Sequence, residues 1–337
     1  MTGHLPISWL YCTQINDSMQ DSTKVLVTGG AGFIGSHVVE QLVNEGYAVR
    51  ILDNLYTGKL GNIRNAVKSG RVEFVKGDIR DSSLVEKSLD GVNKVVHLAA
   101  LVSVPFSVKN PAFTFDVNLL GTLNLLRASV KHKAQRFIFI SSCSVCGNPE
   151  SLPVTEQTKT NPISPYAESK LIAERYCLGF SERHLLDSAV LRFFNVYGSR
   201  QGLNDYSGVI TIFMNQSKKN LPLIIYGDGT QTRDFVNVID VAQAVTATLK
   251  SDKVNGEIFN IGSGKVTTIK ELADTIIALT GTKSKISYQS PRAGDIKDSY
   301  GDISKAKKYL HYEPKVSLRE GLQTMIKQKN FPKGAST

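Results

Sequence analysis

Lys24-Val25-Leu26-Val27-Thr28-Gly29-Gly30-Ala31-Gly32-Phe33-Ile34-Gly35 is the stretch that decides how this chain folds. Its first residues form a short apolar run that predicts a buried strand, and the following Ser36-His37-Val38-Val39-Glu40-Gln41-Leu42-Val43 has the spacing of an amphipathic helix. Between them stands a glycine turn. Gly29 permits the sharp bend, Gly32 lets the backbone approach a pyrophosphate, and Gly35 lets the helix pack closely on the strand, so the phosphate faces the positive end of the helix. A second apolar run, Ala48-Val49-Arg50-Ile51-Leu52, ends at Asp53, near the distance at which an acid binds the adenosine ribose hydroxyls and favours NAD over NADP. A lone glycine fingerprint is a weak signal; strand, turn, helix and trailing acid together predict a dinucleotide site.

Further apolar runs at 72–75, 94–100, 136–140 and 189–193 alternate with helical stretches, including 112–130 and 166–180. This predicts an α/β fold: a doubly wound parallel Rossmann sheet with a smaller, interleaved C-terminal α/β substrate lobe. Residues 1–22 read as an appendage and 331–337 as a frayed tail. The NAD-binding domain is expected over 23–195, with 233–250 returning to it, and the lobe over 196–232 and 251–330. Ligands in such sheets bind beyond the carboxyl ends of the strands, which marks Asp78-Ile79, Leu98-Ala99-Ala100, Ser141-Ser142 and Asn195. His97 lies inside an apolar run and reads as a packed core histidine.

Tyr166 and Lys170, in Pro165-Tyr166-Ala167-Glu168-Ser169-Lys170, share one helical face at i and i+4. An ammonium near a phenol favours the phenolate: at about 4 Å and an effective dielectric of about 20 the attraction is roughly 4 kcal/mol before desolvation is subtracted. The pair therefore predicts a base for redox chemistry on an alcohol. An ordinary exposed helix carrying Tyr and Lys is the competing explanation, and only the dinucleotide site upstream weighs against it.

The chain has 337 residues, 41% of them hydrophobic, enough for one large core and a smaller lobe, and fits a cytoplasmic enzyme. No stretch approaches the roughly 18 apolar residues that span a bilayer, and the N-terminus lacks the basic and apolar blocks of a signal peptide. The formal charge of +10 raises nucleic acid as a partner, but the densest basic patch, Lys305-Ala306-Lys307-Lys308, is a short solvated helix face and no nucleic-acid signature is present. A modest positive field suits an anionic nucleotide substrate. Four cysteines, Cys12, Cys143, Cys146 and Cys177, suit a reducing compartment. Cys143-Ser144-Val145-Cys146 has Cys-x-x-Cys spacing, but further ligands are missing nearby and the pair follows a strand, which argues against a metal or a redox dithiol.

Taken together, the glycine turn from Thr28 to Gly35, Ser141-Ser142, Tyr166-x-x-x-Lys170, Leu191-Arg192-Phe193-Phe194-Asn195, Arg233-Asp234-Phe235 and Arg292-Ala293-Gly294-Asp295 resemble the extended short-chain dehydrogenase/reductases that act on nucleotide sugars. The resemblance covers roughly residues 23–315 and is nearest to UDP-sugar 4-epimerases, in the UDP-N-acetylglucosamine 4-epimerase and UDP-glucose 4-epimerase branch. It implies catalysis by Ser142, Tyr166 and Lys170: Ser142 hydrogen-bonds the reacting hydroxyl, Tyr166 takes the O4 proton while hydride leaves C4, and Lys170 holds the nicotinamide ribose. It implies NAD contacts from Gly29, Gly32, Phe33, Ile34, Gly35, Asp53, Asn54, Gly58, Asp78, Ile79, Leu98, Ala99, Ala100, Asn118 and Phe193. For a UDP-hexose it implies Ser103, Cys143, Ser144 and Val209, with Asn195, Arg233 and Arg292 on the diphosphate, Tyr226 on the uracil and Asp295 facing the nucleotide.

Within the family, the 4,6-dehydratases carry Asp-Glu just after the catalytic position and the UDP-glucuronate decarboxylases usually a Glu. Cys143 and Ser144 are not carboxylates, which favours oxidation and reduction at C4 alone. Ser299 matches the position that closes the sugar pocket with Tyr in epimerases restricted to UDP-glucose, so room for an N-acetyl group at C2 is expected. The chain departs from the pattern at Cys143, at Cys146, where Tyr is usual, and at Phe106, where Arg is common. A UDP-glucuronate 4-epimerase and a non-catalytic NAD-binding regulator are the alternatives; Phe106 supplies no charge for a carboxylate, and regulators typically lose Tyr or Lys. The resemblance also implies a homodimer joined through helices near 112–130 and 166–180.

Overall fold

The computed structural model describes residues 23–203, 208–291 and 296–328. Its strands are β1 (Lys24–Thr28), β2 (Ala48–Asp53), β3 (Val72–Lys76), β4 (Lys94–His97), β5 (Arg136–Ser142), β6 (Ser188–Phe193), β7 (Asn195–Tyr197), β8 (Leu223–Tyr226), β9 (Thr232–Arg233), β10 (Phe235–Asn237), β11 (Glu257–Ile261), β12 (Thr267–Thr268), β13 (Ile286–Gln289) and β14 (Asp298–Ser299). Its helices are α1 (Phe33–Asn44), α2 (Leu60–Lys68), α3 (Ser82–Ser88), α4 (Val104–Lys109), α5 (Pro111–Phe115), α6 (Gly121–Lys131), α7 (Pro165–Glu182), α8 (Val209–Lys218), α9 (Val238–Lys250), α10 (Ile269–Thr280), α11 (Ser304–Leu310) and α12 (Leu318–Gln328).

Seven strands make one parallel sheet in the order β3-β2-β1-β4-β5-β6-β11. The chain runs outward from β1 to β3, returns, and runs outward again from β4, leaving a crevice where β1 and β4 lie side by side. Period-2 alternation divides the core between two helical layers. Val25, Val27, Ile138 and Ile140 pack with Val38, Val39 and Leu42 of α1 and Val241 and Val245 of α9. Leu26, Phe137 and Phe139 face Leu125 and Leu126 of α6 and Ala173 and Cys177 of α7. Each fully buried Leu or Phe contributes roughly 1.5–3 kcal/mol. The lobe has its own core, in which Phe213, Met214, Leu223, Ile225, Leu272, Ile276 and Leu322 meet.

The doubly wound sheet is thus as expected, with local differences. The edge strand β11 comes from the segment assigned to the lobe, because Phe259 and Ile261 complete the main core beside β6. The helix expected over 112–130 is interrupted by a π-helical turn at Asp116–Leu120. The turn accompanies a side-chain use: Asn118 Oδ1 accepts from Leu101 N at 2.8 Å and Nδ2 donates to Leu101 O at 3.0 Å. Strand β4 stops at His97 rather than at residue 100, as Leu98 N and Ala99 N bend onto Thr28 O and Oγ1, both at 3.2 Å. His97 is a buried core residue between Thr28 Oγ1 (2.7 Å) and Thr122 Oγ1 (2.9 Å), and burial holds its imidazole well below the usual pKa.

Candidate active site

The glycine turn is built for close approach. Gly29 has φ +70°, and a Cβ there would stand 2.8 Å from Ala99 N; a Cβ on Gly35 would stand 2.1 Å from Gly29 O. No side chain caps α1 at Gly32 and its first turn holds no acidic residue, so its N-terminal donors face the crevice without a competing anion. Asp53, at the end of β2, accepts from Ala31 N (2.9 Å) and Leu55 N (2.8 Å), which ties the acid directly to the turn. Burial raises its pKa above the ordinary value against these two bonds, and further hydroxyl donors fit the lone pairs that remain. Gly58 lets the next loop cover the acid, since a Cβ there would lie 2.9 Å from Asp53 Oδ1. The residues therefore fit an NAD adenosine and pyrophosphate. Asp78 is bound by Arg80 and Asn54, and Arg80 above all holds its carboxyl down at about 2. Asn118 is buried under the loop after β4 and its Nδ2 also donates to Ser169 Oγ at 3.0 Å.

Helix α7 starts where the sequence provides a cap and a rigid first turn: Ser164 Oγ accepts from Ala167 N at 3.2 Å and Pro165 takes the first position. It delivers Tyr166 and Lys170, both buried, to the end of β5. There Ser142 caps the 3₁₀ turn Cys143–Cys146, accepting from Ser144 N at 3.2 Å, and its hydroxyl lies near enough to the Tyr166 phenol to oppose the rise in its pKa. Phe193 lies in register beside Ser142 on the neighbouring strand. Ser142, Tyr166 and Lys170 are thus brought together, but the electrostatics differ from the expected phenolate pair. Burial pushes the Tyr166 phenol up to about 12, with the Ser142 hydroxyl opposing, and burial pulls the Lys170 amine down to about 8. Lys170 Nζ donates to Ile140 O at 2.8 Å and sits 4.7 Å from the centre of the Phe139 ring, turned to the strand rather than to the phenol. Desolvation outweighs the pair attraction that spacing alone suggests.

The substrate end is assembled by short pairings. Strand β14 runs parallel to β9 with Ser299 beside Arg233, and the Ser299 hydroxyl donates to Cys143 Sγ at 3.7 Å. Asn195 joins them through its N–H to Asp234 O at 2.9 Å. Arg233 reaches the carbonyls of Thr232 (2.7 Å), Lys297 (3.0 Å) and Ile296 (2.7 Å), so part of the fork expected on phosphate is spent on backbone. The Ser144 hydroxyl is buried without a partner among the described residues, as suits an oxygen kept for a ligand. Ser103 caps α4, accepting from Phe106 N at 3.2 Å. Tyr226 ends β8, and Val209 opens α8 against the lobe core. Arg292 and Asp295 lie outside the described residues. Burial raises the Cys143 thiol and pushes Cys146 up to about 11, so neither is a thiolate near neutrality. Among the described residues no cluster of His, Cys, Asp and Glu is placed to hold a metal ion.

Three buried charges with no role expected from the sequence, Asp234, Glu174 and Arg192, brace the site. Asp234 accepts from Ser263 N (2.7 Å), Ser263 Oγ (2.6 Å) and Gly264 N (3.0 Å), bracing the loop that carries Arg233. Glu174 and Arg192 form an ion pair at 2.8 Å beneath Ser142. The legible signals were a charge inside a wholly buried strand and a Glu four positions beyond Lys170.

The family model described as GDP-mannose 4,6 dehydratase matches residues 26–325. A putative UDP-glucose 4-epimerase of Methanocaldococcus jannaschii is 43% identical over 90% of this chain and 97% of its own length. The structure of the Thermus thermophilus UDP-glucose 4-epimerase in complex with NAD is 36% identical and superposes with a TM-score of 0.84, covering 93% of this chain and all (100%) of that one. The UDP-N-acetylglucosamine 4-epimerase of Methanobrevibacter ruminantium, solved with UDP-N-acetylmuramic acid, is likewise 36% identical, with a TM-score of 0.85 over 91% of this chain and 99% of that one. A glycine turn braced by Asp53, a Ser–Tyr–Lys group at the end of β5 and likeness along nine-tenths of the chain lead to one conclusion: this protein belongs to the extended, NAD-using short-chain dehydrogenase/reductases, in the UDP-sugar 4-epimerase family.

Proposed function

We propose that the protein interconverts the C4 epimers of UDP-hexoses, with or without an N-acetyl group at C2. The observation that carries this reading is the placement of buried Tyr166 and Lys170 of α7 against the end of β5 that carries Ser142. Lys170 Nζ lies 2.8 Å from Ile140 O, at the carboxyl end of the sheet, where the glycine turn follows β1. NAD, when bound, would supply a reversible hydride acceptor for C4 of the sugar. Tyr166, as the phenolate, receives the O4 proton, and burial, which raises the phenol to about 12, makes it hold that proton until it is given back. Ser142, which both donates and accepts, bridges the sugar hydroxyl and the phenol. Lys170 supplies the cation that lowers the phenol once its ammonium turns from Ile140 O toward a bound ribose. Arg233, Asn195 and Arg292 hold the diphosphate, Tyr226 packs on the uracil, and Cys143 and Ser299 wall the sugar with small side chains.

Chemically, Cys143 and Ser144, next after Ser142, offer no carboxylate for dehydration or decarboxylation. We divide the chain into an NAD domain and a sugar lobe by their cores, with β11 and α11, whose Phe259, Ile261, Ala306 and Leu310 join the main core, on the NAD side. A homodimer is supported by α7, whose outer face carries Ile172, Tyr176 and Phe180 beside Arg175 and Arg183 in a shallow open groove. Among the described residues no helix is long and apolar enough to cross a membrane, and we place the enzyme in the cytoplasm.

The test is incubation of the purified protein with UDP-galactose, UDP-N-acetylgalactosamine and UDP-glucuronate, without added cofactor, followed by analysis for C4 epimers. Product from the first two is expected, and its appearance without added NAD reports retained cofactor. Product from UDP-glucuronate alone overturns the substrate reading, and none from any, even with NAD added, overturns the epimerase.

A further inference from the structure

Glu174 continues the face of α7 that carries Tyr166 and Lys170, one turn further along. Its side chain is 2% exposed and forks onto Arg192 of β6, itself 3% exposed: Oε1 accepts from Nε at 3.0 Å and Oε2 from Nη2 at 2.8 Å. Oε1 also accepts from the hydroxyl of Ser141, the residue before Ser142. Arg192 Nη1 donates to Glu156 O at 3.3 Å, and the Glu156 carboxylate accepts from Asn260 N of β11 at 2.8 Å. One buried network thus ties α7, β5, β6 and β11 beneath the reacting groups.

A buried ion pair is a poor source of net stability, because desolvating two charges offsets most of their attraction and an apolar pair of equal volume serves as well. Its geometry is more telling. The bidentate fork fixes the orientation of α7 against β6, where an apolar contact would slide. The Ser141 hydroxyl pins the last pleat of β5 to the same carboxylate, which fixes the strand end from which Ser142 projects beside the start of α7.

We propose that Arg192 and Glu174, acting through Ser141, hold Ser142 within hydrogen-bond reach of Tyr166, and that all three are positioning residues for the C4 chemistry. This rests on the roles given to Ser142 and Tyr166 above. Ser141 reaches the reaction through Ser142 alone, so its contribution vanishes when that hydroxyl is gone, whereas Glu174 also orients α7 and stands near Lys170 and so retains part of its effect.

The experiment is a double-mutant cycle on the NAD-loaded enzyme, with UDP-galactose as substrate and E174Q, Ser141→Ala and Ser142→Ala made singly and combined. E174Q is expected to lower kcat about 10- to 100-fold and Ser141→Ala about 3- to 10-fold, with KM changed less than about 3-fold. In the Ser142→Ala background Ser141→Ala is expected to cost less than about 2-fold and E174Q at least about 3-fold less than in the wild type, the coupling of groups that act as a unit. Ser141→Thr, which keeps the donor, is expected to restore kcat. Equal losses in both backgrounds overturn the proposal as mere structural damage. A Ser142→Ala enzyme with unchanged kcat overturns instead the role of Ser142. Should E174Q fail to fold, Ser141→Ala, which removes one oxygen and no charge, carries the same cycle alone.

Discussion

The hydroxyl of Ser299 meets the sulfur of Cys143 at 3.7 Å, so a residue 156 positions along the chain closes against the neighbour of Ser142. Both side chains are small, and Ser299 is held in register by the β14–β9 pairing rather than by a loop. Ser299→Tyr fills this corner. Turnover of UDP-N-acetylgalactosamine is expected to fall by a factor of at least about 10², the scale of a pocket made too small, while UDP-galactose turnover changes by less than about tenfold. Competing the two substrates in one reaction measures the ratio, and an unchanged ratio removes Ser299 from the sugar pocket.

Tyr166→Phe deletes one oxygen from a buried ring and leaves the packing in place. A positioned acid–base group contributes about 10²–10⁴ in rate, so kcat is expected to fall by that factor. Binding of UDP measured by calorimetry should be unchanged, because the phenol lies at the sugar end. Wild-type kcat in Tyr166→Phe assigns the proton to another group.

Lys170 carries a pH signature in the NAD-free protein. Burial lowers its amine to about 8, below the reference of about 10.4 for an unfolded chain, so the folded state binds fewer protons between these values and gains stability as pH rises through them. Below about pH 8 the buried ammonium costs up to about 3 kcal/mol. Lys170→Met is therefore expected to stabilise the apoprotein near pH 7 and to lose that advantage by about pH 10. Urea unfolding at both pH values reads the difference. The same variant should retain NAD poorly, a separate readout.

His97 behaves in the same direction at lower pH. Its imidazole is held neutral by burial, so below about 6.5 the unfolded chain takes up a proton that the folded chain refuses, and stability falls by up to about 1.4 kcal/mol per pH unit. His97→Leu should flatten the wild-type dependence between pH 6.5 and pH 5 by that slope. It should also cost about 1–3 kcal/mol at pH 7, because Thr28 and Thr122 lose their shared partner. An identical slope in both proteins places the acid sensitivity elsewhere.

The legible part of this protein is the part whose physics is local. A glycine that must adopt φ +70°, strands with alternate or continuous burial, and a capped helix beginning Ser164-Pro165 each leave their mark within a few residues. Hence the doubly wound sheet, the dinucleotide turn with Asp53 and the Ser142, Tyr166 and Lys170 group were all readable in order along the chain. What the sequence could not carry was anything set by burial or by distant pairing. Spacing placed Lys170 near Tyr166 and implied a lowered phenol, whereas enclosure in the core raised it, because desolvation depends on all the chain that covers a group. The Ser299–Cys143 contact and the Glu174–Arg192–Ser141 clamp join segments far apart in sequence, and β11 reached the sheet from the lobe segment for the same reason. The amino-acid order thus determined the fold and marked the groups proposed to react; only the tertiary structure decided how those groups are charged and held.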